Sequence, residues 1–404
     1  MSFDVDRLIS SRARGIDASG IRRVFALGAT MRDPINLSIG QPDFAPPEAV
    51  ATRAAAAIRE GHNGYTQTWG AAELRTRTAE HLKADVGWDI ADTPGAPGAE
   101  TELLITSGTS GGLMLAAMAL LGPGDEMVIP DPYFVCYPTL AHMCDANAVL
   151  CDTYPDFRLT AERVEPLITD RTKLVLANSP SNPAGVVMTA DEWADLSELC
   201  RAKGVVLLSD EIYDEFTFRD ARSEPAHDPA ALPGLRCPSP ARRDGSNEHV
   251  LLVRGFGKTF GVTGWRLGYV AGAPALVNQM AKIQQYTFVC PPTPLQHGVI
   301  AAFDSDMSAQ IDEYQSRRDT LLEVLSPVTN VAAPGGAFYA FVEIPESLGL
   351  TGTQVFEKCV ERNVLLIPGG VFSPRDTHVR VSLTAANPRL REGAEILRDI
   401  FQGR

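Results

Sequence analysis

Residues 249–270 read HVLLVRGFGKTFGVTGWRLGYV. The apolar run at 250–253 predicts a strand, and it feeds a glycine-rich turn that presents Lys258. Arg266 follows, ahead of a second apolar run. A lysine on a tight turn with an arginine nearby suits two chemistries. One is a lysine that bonds covalently to a carbonyl cofactor whose phosphate the arginine holds. The other is a P-loop, since Gly257-Lys258-Thr259 matches the end of that motif. The P-loop needs its first glycine at position 252, and Leu252 stands there. Most lysines in turns simply face water, so the rest of the chain has to decide.

Working outward, several more apolar runs end in polar groups. Residues 102–106 predict a strand that meets the small, glycine-rich turn 107–112, and the apolar helix 113–121 follows. Strand, glycine turn and helix start suit an anion site, because open N–H groups and the helix dipole both favour a phosphate, although such turns also serve as plain strand–helix connections. Strands are also predicted at 126–130, at 174–178 and at 205–209, the last ending at Asp210, with a helix over 191–203. Such continuous apolar runs, alternating with helices, imply an α/β fold with a mostly parallel sheet. Ligands of such sheets sit beyond the strand C-termini. Residues 107–110, 178–182, Asp210 and Lys258 all follow strands.

Nearer the N-terminus, residues 19–29 predict a short amphipathic helix with Ser19 as its N-cap. Residues 35–39 run extended into Gly40, and Pro46-Pro47 open a helix over 48–59. Residues 71–84 predict another helix. The polar stretch 219–247, with five prolines, predicts a surface loop. Beyond 270 the chain reads as helical to about 325. Runs at 335–341, 364–367 and 379–383 then suggest a smaller antiparallel sheet. The expected division is a large domain over 45–300 and a smaller α+β domain built from 1–44 and 301–404.

The 404 residues are 45% apolar and 21% charged, as in soluble globular proteins, with a formal charge of −14. That sign argues against nucleic acid or an anionic membrane as a partner. The longest clean apolar run, 113–121, falls far short of the ~18 residues that a membrane span needs. The N-terminal residues show no secretory pattern. Seven cysteines without a C-x-x-C pair suggest buried thiols in a reducing cytoplasm, and no histidine spacing suggests a metal.

Taken in order, these pieces resemble the class I/II aminotransferases. These are pyridoxal-5′-phosphate (PLP) enzymes of fold type I, and the aspartate/aromatic subgroup is nearest. The resemblance spans about 33–387. It implies that Lys258 in GFGKTFGVTGWRLGY is the Schiff-base lysine and that Arg266 pairs with the cofactor phosphate. Gly108, Thr109 and Ser110 would cradle that phosphate. Phe134 in DPYFVCYP would stack on the cofactor ring, with Tyr133 as the alternative. Asn182 in NSPSNPAG and Tyr213 in SDEIYDEF would bond the ring oxygen, and Asp210 would face the ring nitrogen. Tyr65 would reach the cofactor phosphate of a second subunit, which implies a homodimer. Gly40, Asn182 and Arg380 in VRVSLT would bind the substrate carboxylate. The implied activity is transfer of an amino group from an L-amino acid to a 2-oxo acid by a ping-pong PLP mechanism, with Lys258, Asp210 and Tyr213 as catalytic residues. A PLP-dependent C–S lyase or aminocyclopropane-carboxylate-synthase-like enzyme on the same scaffold is the alternative.

Three departures stand out. Gly255 and Gly257 occupy places where many relatives carry serine, the first of which touches the phosphate; water or Thr109 would replace it. The interval from Asp210 to Lys258 is long, and 219–247 takes up the excess. Ser110 stands where dicarboxylate-specific relatives have lysine, and 277–295 contains no arginine. With Ile16, Ile39, Tyr133 and Phe338 as the remaining pocket candidates, this implies neutral or aromatic donors unless Arg22 or Arg23 supplies the missing cation.

Overall fold

The structure, a computed structural model, describes residues 3–18 and 20–404. Its centre is a seven-stranded sheet. In chain order the strands are β1 (Glu102–Ser107), β2 (Glu126–Asp131), β3 (Asn147–Asp152), β4 (Thr172–Asn178), β5 (Val206–Asp210), β6 (Val250–Gly255) and β7 (Leu267–Gly272). Their spatial order is β1-β7-β6-β5-β4-β2-β3. All neighbours from β6 through β3 run parallel, while β7 is antiparallel to both β6 and β1. All but the edge strand β3 are buried nearly end to end, which is why they read as unbroken apolar runs instead of alternating ones. Separate apolar clusters cover the two faces of the sheet: Leu103, Ile105, Val128, Val175, Leu207 and Leu252 point to one, Leu104, Met127, Leu176, Leu208, Leu251 and Val253 to the other.

Helices cover those faces. α1 (Gly20–Gly28) lies instead against the smaller part, with Val24 packed among Leu365, Ile367 and Phe372; α2 (Glu48–Arg59) and α3 (Ala72–Val86) precede the sheet, and α4 (Gly108–Leu120) follows β1 directly. α5 (Cys136–Met143), α6 (Ala190–Lys203) and α7 (Pro274–Thr287) complete the layers. A third cluster surrounds a three-stranded antiparallel sheet of β8 (Tyr339–Glu343), β9 (Ile367–Pro368) and β10 (His378–Ser382), ordered β8-β10-β9. α8 (Ser308–Leu325), α9 (Gly352–Glu361) and α10 (Asn387–Phe401) pack with it, and Ile35–Asn36 joins by pairing with Val364–Leu365. The fold is α/β, a mostly parallel sheet between helices with a smaller α+β part.

Four expectations change. The glycine stretch 108–112 is not a turn but the first turns of α4. A Cβ on Gly112 would lie 2.7 Å from Val270 Cγ1, so small residues let the helix lie close on the sheet. The stretch 335–338 is not strand; β8 starts at Tyr339, after Ala337 turns left-handed at φ 53°. The region 271–325 is broken into three helices, two of them opened by proline near the first turn. The polar stretch 219–247 is only partly a surface loop. It folds as a small two-stranded sheet and short 3-10 turns, and Glu224, Cys237, Ser239, Ala241 and Ser246 are buried. The helix expected from 19 begins at Gly20, and the proposed cap Ser19 lies outside the described residues.

Candidate active site

The residues that join β6 to β7 are 256–266, so the stretch quoted first is one antiparallel turn-back carrying Lys258 and Arg266. It faces a cavity of about 880 Å³ at the C-terminal ends of the parallel strands. Lys258, Arg266, Asp210, Tyr213, Asn182 and Arg380 all line it. So do Gly40, Gly108, Thr109, Ser110 and Phe134.

Asp210 ends β5 and is 3% exposed. Tyr137 donates its hydroxyl to Asp210 Oδ2 at 2.9 Å, and the Ile212 N–H reaches Oδ1 at 3.3 Å. Burial pushes this carboxyl up to about 6, and the bond from Tyr137 opposes it. Lys258 Nζ donates to the Gly40 carbonyl at 2.6 Å. Burial pulls its amine down to about 8, helped by the positive charges of Arg380 and Arg266. An amine in that range can gain and lose a proton near neutral pH.

At the other end, α4 starts at Gly108 with no side chain bonded to its first N–H groups, since Ser107 does not cap it. Open N–H groups at a helix start attract an anion. The Arg266 guanidinium lies over this start: a Cβ on Gly108, which has φ +67°, would sit 2.6 Å from Arg266 Nη2. Glycine is required there both for the backbone and for the arginine. A Cβ at Gly255 would come within 3.1 Å of the Thr109 methyl. Ile212 Cδ1 lies 3.0 Å from the same point, so a serine at 255 would need both side chains to give by a few tenths of an ångström.

Arg380 is buried at 1% exposure. It donates to Asn182 Oδ1 and to the Ser38 carbonyl, each at 3.0 Å, and its guanidinium lies 4.3 Å from the centre of the Tyr339 ring and 4.7 Å from that of Phe372. Its Nε has no partner among the described residues. Tyr213 donates to the Tyr339 hydroxyl at 3.4 Å, and burial holds the Tyr213 phenol well above its usual range.

A family profile described as aminotransferase class I and II matches residues 32–397. The chain belongs to that family. It is 32% identical to the probable aspartate aminotransferase of Methanocaldococcus jannaschii, over 98% of this chain and 100% of the relative. The aspartate aminotransferase of Thermus thermophilus solved with maleate superposes with a TM-score of 0.86 at 30% identity, covering 97% of this chain and 99% of that one. The Rhizobium meliloti aspartate aminotransferase gives 0.87 at 30% identity, covering 98% of each. The protein is thus a transaminase that uses pyridoxal 5′-phosphate and passes an amino group from an amino acid to a 2-oxo acid in two half-reactions; the lyase alternative is not favoured.

The cavity fits that cofactor: it has an anion cradle at one end, a buried carboxylate within, and a partly buried lysine between cations. Two tyrosines lining it went unnoticed in the sequence. Tyr137 stands in the same DPYFVCYP run as Phe134, but the short helix α5 carries no periodicity that aims it. Tyr339 lines the cavity where Phe338 was expected; Phe338 is buried in the small-sheet core. Of the other pocket candidates, Ile39 lines the cavity, whereas Ile16 and Tyr133 do not. Tyr65 also lies outside it and is 86% exposed.

Proposed function

We propose that Lys258 is the residue that would hold the cofactor covalently and the base that would take the proton from the substrate Cα. Bound PLP supplies a carbonyl to capture the amino group and a ring to accept the electrons left at Cα. Asp210 holds the proton on the ring nitrogen, and Tyr137 fixes the Asp210 carboxylate from behind. Asn182 and Tyr213 bond the ring oxygen, and Phe134 covers the ring face. Gly108, Thr109, Ser110 and Arg266 hold the phosphate. Arg380, already seated by Asn182 and Ser38, offers its planar fork to the α-carboxylate beside Gly40. The observation that carries this reading is the Arg266 guanidinium packed on Gly108 over the uncapped start of α4, across the cavity from Asp210. Reduction of the holoenzyme with borohydride, followed by peptide mapping, tests it. Lys258 is the expected labelled residue and Lys258→Ala the expected blank; label on another lysine overturns the assignment.

The active unit in this reading is a homodimer. Tyr65 is too exposed to serve its own cavity, and Tyr286 (87% exposed), Phe288 and Val289 leave further apolar surface open for a second copy. The domain division remains 45–300 against 1–44 with 301–404, supported by the separate apolar cluster around the small sheet. Seven free thiols support a reducing cytoplasm, and among the described residues no helix is long and apolar enough to cross a membrane.

The donor is proposed to be neutral or aromatic. Ile21, Phe25 and Ile39 form apolar lining, and Ser110 brings no charge. Arg22 is the cation that the N-terminal helix adds to the mouth, while Arg23 does not line it. The check is kcat/KM for aspartate, alanine, methionine and phenylalanine in wild type, Arg22→Ala and Arg23→Ala. Aspartate as best donor, with that activity alone lost in an arginine variant, refutes the preference.

A further inference from the structure

Behind Asp210, on the side away from the cavity, lies a cluster of buried charges that the transamination chemistry does not use. Asp210 pairs with Val253 across β5 and β6. The next residues on the two strands, Glu211 and Arg254, are each 1% exposed. Arg254 donates to Glu211 Oε2 through Nε at 3.1 Å and Nη2 at 2.8 Å. The same guanidinium reaches Asp214 at 3.1 Å and Asp85 Oδ2 at 2.7 Å. The other Glu211 oxygen accepts from the Ser209 and Ser239 hydroxyls at 2.8 and 2.7 Å. Asp85 in turn holds Arg236 at 2.9 Å and Arg242 at 2.7 Å. Arg242 continues to Glu224 at 3.2 Å.

The placement is specific. Glu211 is the neighbour of Asp210, Asp214 is the neighbour of Tyr213, and Arg254 lies on the strand that leads into the Lys258 turn. One guanidinium therefore ties together the segments that carry three site residues. The void among these charges is about 10 Å³, at the lower limit for a single water. With room for at most one water, each charge depends on its partners, and removing one leaves another stranded. Such a cluster is a poor source of stability compared with an apolar core of the same shape. Its value lies in fixing geometry. Ser239, Arg236 and Arg242 all come from the polar stretch between Asp210 and Lys258, the part that lengthens this interval.

We propose that Arg254 is a positioning residue for transamination: through Glu211 and Asp214 it sets Asp210 and Tyr213 against Lys258, and residues 235–243 anchor it. The inference rests on the roles proposed above for Asp210 and Lys258. Displacing a reacting group by about 1 Å can cost about a hundredfold in rate.

The test uses the cofactor-loaded enzyme with Arg254→Gln, Arg254→Lys and Ser239→Ala. Four quantities are read: kcat per bound cofactor, KM for the amino donor, the absorption spectrum of the bound cofactor and the melting temperature. Arg254→Gln is expected to lower kcat about tenfold or more, with KM within about threefold and an altered spectrum. Arg254→Lys keeps the charge but cannot span three carboxylates, so it restores only part of the rate. Ser239→Ala removes one donor to Glu211 without stranding a charge, and is expected to lower kcat about two- to fivefold, again with little change in KM. If Arg254→Gln does not fold, the other two variants decide. A kcat per bound cofactor equal to wild type in Arg254→Lys and Ser239→Ala, with only the melting temperature lowered, overturns the proposal. Label on a lysine other than Lys258 in the borohydride experiment would instead overturn the underlying site assignment.

Discussion

Replacing Asp210 by asparagine is expected to stabilise the cofactor-free protein at neutral pH while crippling the loaded enzyme. The Asp210 carboxyl is buried, and burial pushes it up to about 6 from 3.8. A shift of about 2 pH units corresponds to about 3 kcal/mol. The sign follows from proton affinity. The folded protein binds this proton more tightly than the unfolded chain does, so the associated stability is complete below about pH 4 and lost as pH rises through about 6. Above that, the folded protein carries an ionised carboxylate that is only 3% exposed. Asparagine has the same shape, keeps an oxygen for the Tyr137 hydroxyl and carries no charge. Two losses oppose the gain: the long 3.3 Å bond from the Ile212 N–H meets an amide donor in place of Oδ1, and the Lys258 amine, which Asp210 holds up, loses its counter-charge. The net gain at pH 8 is then about 2 kcal/mol. With an unfolding entropy of about 2.1 cal/mol/K per residue over 404 residues, the melting temperature rises by about 2 °C. Calorimetry of cofactor-free wild type and Asp210→Asn between pH 4.5 and 8 measures it. The gap should open between pH 4.5 and 6.5 and stay open above. A wild type that is more stable at pH 8, or a gap that ignores pH, refutes the reasoning. In the loaded enzyme, Asp210→Ala should lose far more kcat than cofactor affinity, because the charge acts on the carbanionic step.

The Lys258 amine, pulled down to about 8, should react with an amine-directed acylating reagent ahead of other lysines in the cofactor-free protein. At pH 8 about half of it is neutral, against under about 1% for an ordinary lysine near 10.4; labelling no faster than the bulk refutes this. Tyr65→Ala should weaken cofactor binding in equilibrium dialysis, and the wild type should sediment as a dimer. A fully active monomer refutes the shared site.

The parts of the site that hydrophobic patterning disclosed are those where a strand stops; Arg380, inside β10, came from the family resemblance alone. Lys258, Asp210 and the start of α4 each follow a run of buried apolar residues, so a break in hydrophobicity coincides with a strand C-terminus, and the chemistry stands at the break. Tyr137 and Tyr339 lack that marker. Tyr137 sits on an eight-residue helix whose sequence has no stripe to give its facing. Tyr339 opens a strand two residues after the left-handed Ala337, so the alternation that would separate it from Phe338 has no preceding register. The helical nature of 108–112 was hidden because glycine is a poor helix former in isolation, and its reason here is close contact with β7, a tertiary fact.

The stretch 219–247 misled for a different reason. Prolines and arginines in number are the usual mark of a solvated loop, because an arginine alone is costly to bury. That cost falls only when carboxylates meet it. Glu224 lies within the stretch, but Asp85 lies far off in the chain: Arg242 finds it 157 positions earlier, and Arg254 169 positions earlier. No local window contains both halves of such a pair. Charge content therefore reports exposure only where the opposite charge is absent from the fold. In this chain the opposite charges are Asp85, Glu211 and Glu224, and the adjacency of Glu211 to Asp210 turns a polar insertion into a support for the active site.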